Sequence, residues 1–519
     1  MMLIEPRYPL TCTPIRSVTV KRLLALALVL PAATLVLTGV STSATPAPEP
    51  GASVAVPTVS GPVTGGKGVP TLLTATMPAQ SGYVSEEFFL EGTATAYTSD
   101  VPLTPDGRWT VRPQSRAPYR TRIVVYRPES PKQFNGTVFV EWNNVSAGFE
   151  TAPDWGSGHN EVIRSGGAWI AVTTQAVGLQ GGQTIIGQTA TGGLRATDPE
   201  RYASLTHPGD SYSYDIYSQA GVVARNTTTP AVLGKLSVKR VIAVGVSQSA
   251  FRLVTYIDAV QPLAHVYDGF FVHSRNGNGA ALAGAPLDAV AAPPSAALIR
   301  GDLDVPVLQL LTESDLTLLR AYPARQPDTK LLRTWEVAGA SHADFYQGGV
   351  GFGDIGDGKA EQALLDVASA DGGPLNCAQP INRGPQYLVV ASALHHLDRW
   401  VADGVAPPKA RPIDMAAGPP PVINRDAHGN ALGGVRTPVV DVPTATLRGD
   451  GNAGATFCFL FGNTIPFDAA TLASLYPTHR DYVTKFNRAT DAAVKAGFLL
   501  APNAKNLKLA AAASSISAP

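Results

Sequence analysis

The chain has 519 residues, 45% hydrophobic and 15% charged, enough for one elaborated domain or for two or three smaller ones. Its 40 basic residues balance its 40 acidic residues, which argues against nucleic acid or another polyanion as a partner. The three cysteines show neither a C-x-x-C pair nor a Cys/His metal spacing, so we expect no metal and no cofactor.

The N-terminal segment has the order of an export signal. Basic residues up to Arg22 precede the apolar run 23–40, and small residues follow it. We therefore predict a signal peptide over residues 1–47 and a secreted, extracellular protein that leaves the membrane after cleavage. An uncleaved membrane anchor is the alternative, which Pro31 and the small residues disfavour. Residues 48–67, rich in Pro, Gly, Ser and Thr, are predicted to form a linker.

The remaining cysteines agree with export. Cys12 lies in the predicted signal, which leaves Cys377 and Cys458 as an even pair. In an oxidising compartment such a pair predicts one disulfide. Two buried free thiols are the alternative.

The pattern after the linker predicts an α/β fold. A β-rich region comes first, and strands then alternate with helices; the predicted strands are 83–98 (two strands with a turn near Glu91 and Gly92), 119–126, 137–142, 169–174, 238–246, 266–273, 305–311 and 331–337. Long crossovers between strands indicate a mainly parallel central sheet with helices on both faces. Functional groups in such a sheet gather at the carboxyl ends of the strands.

Segments outside the predicted sheet are less specific. Residues 175–235 form either a cap insertion beside the site or a crossover helix with a decorated loop. An amphipathic helix is predicted over 387–404 and a helical pair over 469–497, and residues 509–519 are predicted to be a flexible tail.

A strand that turns sharply into a helix at a serine is the most informative motif. The apolar run 241–244 leads into Gly245-Val246-Ser247-Gln248-Ser249, and helical spacing follows. This order is that of a nucleophile elbow, which needs small residues two before and two after the serine. The usual pattern has glycine at both places, whereas Ser249 occupies the second here. A chance match is the alternative, which the strand and the helix around the motif disfavour.

A serine nucleophile needs a base and an orienting acid. His342 follows the last predicted strand and is the preferred base. The preceding strand runs into Asp315 and Glu313, and we favour Asp315 as the acid with Glu313 as the alternative. The order serine, acid, histidine is that of α/β hydrolases and differs from those of chymotrypsin and subtilisin.

An oxyanion hole is expected from two main-chain amides. The N–H group of Gln248, the residue after the nucleophile, is the first. The second is expected in the loop after strand 137–142, at Asn143 or Asn144, although no HGGG motif is present there.

Five stretches carry a resemblance to a known family: GVSQSA, LLTESD, AGASHAD, LDRWVADGVAPP and DAHGNALGGVRTPVVDVP. With these the chain resembles the α/β hydrolases, and more narrowly the secreted α/β-hydrolase-domain proteins, over most of its mature length. The resemblance implies an α/β-hydrolase domain over 68–508, with an N-terminal β-rich extension and insertions, and it implies a hydrolase. It does not specify the acyl or alcohol part of a substrate.

The sequence as a whole predicts a secreted serine hydrolase that cleaves a small-molecule or lipid-like carboxylic ester through an acyl-enzyme. Two alternatives belong to other classes. An acyltransferase would use the same residues with an acceptor other than water. A binding module would keep the fold without the chemistry, because fold does not fix function.

Overall fold

A computed structural model describes residues 54–184, 189–284, 287, 292–454 and 457–517. The predicted signal peptide, 1–47, lies outside the described residues. Within the described ranges, no helix combines the length and the apolar character that crossing a membrane requires.

The bounds of the strands and helices are as follows. The strands are β1 (Thr58–Ser60), β2 (Tyr83–Thr98), β3 (Arg112–Pro128), β4 (Thr137–Trp142), β5 (Ala168–Val172), β6 (Gly182–Gln183), β7 (Thr189–Ala190), β8 (Arg240–Val246), β9 (Gly269–His273), β10 (Val307–Thr312), β11 (Leu332–Val337), β12 (Met415–Ala416), β13 (Val422–Ile423), β14 (Ala445–Arg448) and β15 (Asn463–Pro466). The α-helices are α1 (Pro153–Ser165), α2 (Ala176–Gln180), α3 (Leu194–Thr197), α4 (Pro199–Tyr202), α5 (Ser213–Ala224), α6 (Gln248–Thr255), α7 (Gln261–Ala264), α8 (Glu313–Thr317), α9 (Lys359–Leu365), α10 (Gln386–Asp403), α11 (Pro438–Asp441), α12 (Ala469–Leu475), α13 (His479–Ala496) and α14 (Ala501–Ala513).

A nine-stranded sheet forms the centre of the molecule, in the order β1-β2-β3-β5-β4-β8-β9-β10-β11. The strands from β5 to β11 in this order pair in parallel, whereas β1, β2 and β3 pair antiparallel. The carboxyl ends of β4, β8, β9, β10 and β11 therefore lie along one edge. This is the mainly parallel sheet, with a β-rich N-terminal extension, that the sequence predicts.

Both faces of the sheet are buried by helices. Alternate residues of β4 show the division: Val138 and Val140 pack on the side of α5, and Phe139 packs on the side of α1 and α10. Because both faces are covered, the central strands are apolar throughout rather than alternating. A third core, formed largely by the C-terminal helices, lies beyond these two.

The predicted turn near Gly92 is wrong. β2 runs unbroken through this position, and Gly92 pairs with Tyr119 of β3. Glycine is needed there for space rather than for a turn, because an added Cβ would lie 2.9 Å from the side chain of Gln219 and 3.2 Å from the Tyr119 ring.

The predicted linker and tail are each partly ordered. β1 lies within the predicted linker, and it pairs with β2 through Thr58 and Glu91. The final helix α14 extends to Ala513, and it buries Ala510 and Ala511 within the segment predicted to be flexible. The linker was predicted from its Pro, Gly, Ser and Thr content and the tail from its run of small residues, but parts of both pack against neighbouring elements.

The segment 175–235 does not form a cap in its described part. None of its described residues lines the pocket beside Ser247. Its long helix α5 packs on β2, β4, β5 and β8 as a crossover helix, and short elements decorate the loop before it. The second of the two sequence interpretations therefore describes this segment.

Cys377 and Cys458 form a disulfide with their Cα atoms 5.4 Å apart, the pairing that the sequence predicts. The bond joins residues separated by 81 positions. A chain-entropy estimate for a loop of that length gives about 4–5 kcal/mol of stabilisation as an upper value.

We expect the double variant Cys377→Ser, Cys458→Ser to lower the free energy of unfolding by up to about 4 kcal/mol, because its unfolded chain is less restricted. Urea unfolding of the oxidised protein and of the variant measures the difference. Equal unfolding free energies would contradict this expectation.

Candidate active site

Ser247 lies at a strained corner between β8 and α6. Its φ of 57° is in the left-handed region, which is uncommon for a residue with a side chain. Gly245 must be small, because a Cβ there would lie 3.0 Å from the carbonyl oxygen of Ser249. The Ser249 hydroxyl donates to the Val246 carbonyl at 2.7 Å and accepts from the Val246 amide at 3.0 Å. These bonds explain how serine is accommodated where glycine is usual.

The structure brings Ser247, His342 and Asp315 together. The His342 Nε2 atom lies 2.8 Å from the Ser247 Oγ, and its Nδ1 atom lies 2.6 Å from Asp315 Oδ1. The three residues follow the carboxyl ends of β8, β11 and β10 respectively. His342 and Asp315 are buried, so bulk water does not compete strongly for their hydrogen bonds.

Neighbouring residues fix the acid and the histidine. The second carboxyl oxygen of Asp315 accepts from the amide of Thr312 at 2.7 Å and from its hydroxyl at 2.9 Å, which closes a capping box on α8. The Ser314 hydroxyl accepts from the His342 amide at 3.0 Å and donates to the Gly449 carbonyl at 2.5 Å. The loop that carries His342 is thereby attached to the helix that carries Asp315.

Glu313, the alternative acid, bonds elsewhere. One carboxyl oxygen accepts from the Gly339 amide at 2.7 Å, and the other accepts from Arg425 at 2.9 Å and from the Gly449 amide at 3.2 Å. Burial raises the pKa of Glu313, although Arg425 and the two amides oppose the rise. Glu313 thus holds the loop before His342 in place instead of orienting the imidazole.

The first predicted oxyanion donor is available and the second is not. The Gln248 amide donates to no acceptor among the described residues. The Asn143 amide already donates to Val172 at 3.1 Å, and the Asn144 amide donates to Thr151 at 2.9 Å, so neither is free. Asn144 has another task, since its side-chain amide donates to the Val246 carbonyl beside the elbow at 3.0 Å.

Other amides of the same loop are unpaired within the described residues, and those of Val145 and Ala147 are two of them. The N–H groups of Val145 and Ala147 donate to no acceptor in the described part of the chain. Ala147 lines the pocket that contains Ser247, and Val145 directly follows Asn144, which also lines it. Residue type carries no signal for a free main-chain amide, so the sequence could not single out these positions.

Gln175 is a further residue that sequence reasoning missed. Its side-chain oxygen accepts from the side-chain amide of Gln248 at 2.7 Å and from the Trp142 indole at 3.0 Å. Its own amide donates to Asp210 at 2.9 Å. The buried Gln248 side chain is therefore held by a chain of polar contacts beside the elbow.

A cavity of about 560 Å³ opens beside Ser247 and His342. Its wall is largely aromatic and aliphatic, with these large apolar side chains: Leu73, Phe149, Phe251, Leu319, Tyr346, Phe352, Leu375, Phe457, Phe459, Leu460 and Phe461. A concave, mostly apolar pocket with a few polar groups is typical of a small-molecule site. The residues of the wall come from widely separated parts of the chain.

Asp344 is a buried carboxyl group close to this site. Its Oδ1 atom accepts from the amides of Tyr346 and Gln347, both at 3.0 Å, and its Oδ2 atom has no hydrogen-bond partner in the described structure. Burial raises the pKa of Asp344 to about 7, although those two bonds and the nearby His273 oppose the rise. An ordinary aspartate in an unfolded chain titrates near pH 3.9.

The raised pKa of Asp344 predicts a pH-dependent stability. Between about pH 4 and pH 7 the folded chain holds a proton that the unfolded chain has lost, so the free energy of unfolding falls steadily over this range. The contribution is fully present below about pH 4 and is lost once the pH has risen through about 7. Asp344→Asn cannot titrate. We expect the unfolding free energy of the parent to fall, relative to that of the variant, by up to about 4 kcal/mol between pH 4 and 8. Denaturant titrations at both pH values measure this change, and a constant difference would contradict it.

The strand order, the serine at the elbow and the adjacent histidine and aspartate define the class of α/β hydrolases. A family model described as "Alpha/beta hydrolase domain" matches residues 59–508, which is more than half of the chain. The protein therefore belongs to the α/β-hydrolase domain family. A search of curated proteins finds no match.

Solved structures with a similar fold are distant in sequence. An esterase of Rhizomucor miehei is 11% identical with a TM-score of 0.29, covering 61% of this chain and 85% of its own. A glucuronoyl esterase of Solibacter usitatus is 8% identical with a TM-score of 0.26, and the match covers 49% of this chain and 76% of the esterase. An α/β serine hydrolase without a lid from Xanthomonas campestris is 10% identical with a TM-score of 0.25, and the match covers 47% of this chain and 83% of that hydrolase. The assignment to the family rests on the match over residues 59–508.

Proposed function

We propose that this α/β hydrolase is a serine hydrolase that cleaves carboxylic esters through an acyl-enzyme. Ser247 is the nucleophile, His342 the general base and Asp315 the orienting acid. One observation carries the proposal: an unbroken series of hydrogen bonds runs from Asp315 through His342 to Ser247 at the carboxyl ends of the strands. These contacts have the lengths that proton transfer from serine to imidazole requires.

Acylation follows from this geometry. The Ser247 hydroxyl attacks the ester carbonyl carbon and gives its proton to His342 Nε2 as the C–O bond forms. Asp315 accepts a hydrogen bond from the Nδ1–H group of His342. This bond selects the tautomer whose Nε2 atom can accept a proton, and the carboxylate stabilises the imidazolium that then forms. The left-handed backbone of Ser247 presents its side chain at the start of α6, where the hydroxyl can reach the substrate.

The negative charge on the tetrahedral intermediate is stabilised by main-chain amides. Gln248 supplies one N–H group, and Val145 or Ala147 supplies the second. When the intermediate collapses, the bond to the alcohol breaks and His342 returns its proton to the leaving oxygen. Water then repeats the sequence on the acyl-enzyme, with His342 again as the base, and it releases the acid and restores Ser247.

The proposal includes export. A signal peptide over 1–47 would direct the chain to a compartment in which the Cys377–Cys458 bond can form. Intact mass measurement of protein recovered from the culture medium tests both the cleavage and the oxidation. A mass that retains residues 1–47 or two free thiols would contradict this part of the proposal.

Labelling by a fluorophosphonate tests the nucleophile directly, because the reagent needs an activated serine. We expect one adduct per chain, on Ser247, with labelling lost in Ser247→Ala and strongly reduced in His342→Ala. Peptide mass spectrometry locates the adduct, and circular dichroism checks that each variant is folded. An adduct on another serine, or none on a folded parent protein, would reject the assignment.

The same protein separates the two alternatives. An acyltransferase would form more transesterified product than free acid when an alcohol is added, and product analysis by mass spectrometry measures that ratio. A binding module would neither label with the fluorophosphonate nor hydrolyse any ester. The hydrogen bonds that connect Asp315, His342 and Ser247 favour a catalytic protein over a binding module.

A further inference from the structure

We propose that the pocket beside Ser247 selects uncharged esters with a bulky apolar acyl or alcohol group. The inference deepens the proposed function and rests on it. Its basis is the wall of the pocket, whose described residues present aromatic and aliphatic side chains from separate parts of the chain and include no Asp, Glu, Lys or Arg. Among the described lining residues, the ionisable group that is hydrogen-bonded to the Ser247 hydroxyl is His342.

The size of the pocket exceeds what a short acyl group requires. A cavity of about 560 Å³ falls within the range that buries most of a drug-sized ligand. An acetyl group would leave most of this apolar wall in contact with water. A longer chain or a ring removes more of the wall from water, and each buried methylene strengthens binding about fourfold.

The apolar surface continues beyond the pocket to its mouth. Leu73, Phe149 and Phe459 line the pocket, yet 43%, 48% and 43% of their surfaces remain exposed. They belong to three segments far apart in the sequence, so no local run of apolar residues explains why they meet. Exposed large apolar groups gathered in one place mark a binding surface more often than isolated ones do.

The disulfide fixes one side of this wall. Cys458 lies between Phe457 and Phe459 in a 3-10 turn, and Cys377 follows Leu375 by two residues. Phe457, Phe459 and Leu375 all line the pocket. The bond therefore joins two stretches of pocket wall and holds their apolar side chains in a fixed relation, which lowers the entropic cost of binding.

The described lining residues include no Asp, Glu, Lys or Arg, and this composition favours uncharged substrates over charged ones. A carboxylate or ammonium group on the substrate would lose water on entering, and none of the described lining residues would offer it an Asp, Glu, Lys or Arg counter-charge. Neutral esters avoid this cost. The pocket therefore excludes charged groups as it accepts apolar ones.

Two ester series test the inference and separate acyl from alcohol selection. The first comprises p-nitrophenyl esters from acetate to decanoate, below their micelle concentrations. The second comprises n-alkyl acetates of growing length, followed in a pH-stat. We expect kcat/KM to rise about fourfold per methylene in at least one series until the pocket is filled. The p-nitrophenyl half ester of octanedioic acid, whose carboxylate is too far from the ester to attack it, should react at least about a hundredfold more slowly than the octanoate, which has the same chain length.

Two variants connect the selection to the wall. Phe459→Ala should lower the ratio of octanoate to acetate kcat/KM by about tenfold or more, because it removes apolar contacts from long chains. Ile465→Ala is the matched control, since Ile465 is exposed, lies in the same C-terminal segment and does not line the pocket. The ratio of octanoate to acetate kcat/KM in Ile465→Ala should equal that of the parent.

The outcomes distinguish this inference from the proposed function. If Ser247 is labelled and acetate is hydrolysed, but both series are flat or the octanedioate half ester reacts like the octanoate, this inference is overturned and the function stands. An unchanged ratio in Phe459→Ala also overturns it. If no ester is hydrolysed and Ser247 is not labelled, the proposed function and this inference are both rejected.

Discussion

Ser247→Ala is expected to lower kcat on a p-nitrophenyl ester by about five to six orders of magnitude, as loss of the nucleophile does in a serine protease. The methyl group cannot attack the carbonyl, and His342 is left without the proton that it accepts at 2.8 Å. Residual hydrolysis would come from the oxyanion donors and from binding. Initial rates at saturating ester, with active sites counted by fluorophosphonate in the parent, measure the effect.

A matched control isolates the reacting hydroxyl. Ser165 ends α1, donates to the Val162 carbonyl and does not line the pocket. Ser165→Ala should therefore keep kcat within about twofold of the parent, because it removes no group that contacts Ser247, His342 or the pocket. A folded Ser247→Ala protein that keeps most of its esterase activity would show that the chemistry lies elsewhere.

Asp315→Asn is expected to lower kcat about ten-thousandfold, the cost of the same change in the serine-protease triad. The reason lies in the partners of the carboxylate. Thr312 donates two hydrogen bonds to one oxygen of Asp315, so the oxygen of the asparagine stays on that side. The NH2 group of the asparagine then faces Nδ1 of His342 and donates a hydrogen bond to it. Because Nδ1 accepts this hydrogen bond, the proton of the neutral imidazole must lie on Nε2. That tautomer cannot take the proton of Ser247.

Glu313→Gln is the partner experiment, since Glu313 was the other acid that the sequence allowed. The Gly339 amide donates to one carboxyl oxygen of Glu313, and the Gly449 amide and Arg425 donate to the other. Glutamine has a single oxygen, so it keeps only one of these acceptors, and it removes the charge that pairs with Arg425. We expect the free energy of unfolding to fall by about 1–3 kcal/mol, while kcat stays within about tenfold of the parent. Kinetics and urea unfolding of both variants measure the contrast. A near-normal kcat in Asp315→Asn would reject Asp315 as the orienting acid.

Much of the fold could be predicted because its signals are local. The apolar run before Gly245 identified the strand and the small residues around Ser247 identified the corner, since both depend on neighbours in the sequence. That Ser247, Asp315 and His342 lie together could be predicted because each follows a strand of one parallel sheet. The turn near Gly92 failed because glycine also occurs where side chains from other elements leave no room for a Cβ.

Other parts of the candidate site depend on contacts that the sequence does not display. Choosing between Asp315 and Glu313 required knowing that Arg425 lies beside Glu313, although the two are far apart in the chain. The second oxyanion donor depends on which main-chain amides are already paired, and Asn143 and Asn144 gave no hint that theirs are. The pocket wall is equally hidden, because it is assembled from distant segments.

The position of the disulfide has a consequence for the order in which the chain is made. Synthesis proceeds from the N-terminus, so Ser247, Asp315 and His342 all leave the ribosome before Phe457, Cys458 and Phe459 do. The three residues of the proposed mechanism are thus present in the nascent chain while Phe457 and Phe459 of the pocket wall are still missing. That wall becomes fixed only when the late cysteine finds Cys377 in an oxidising environment. A chain held in a reducing compartment would carry the same chemistry beside a looser pocket, so the place of maturation would govern which esters it accepts.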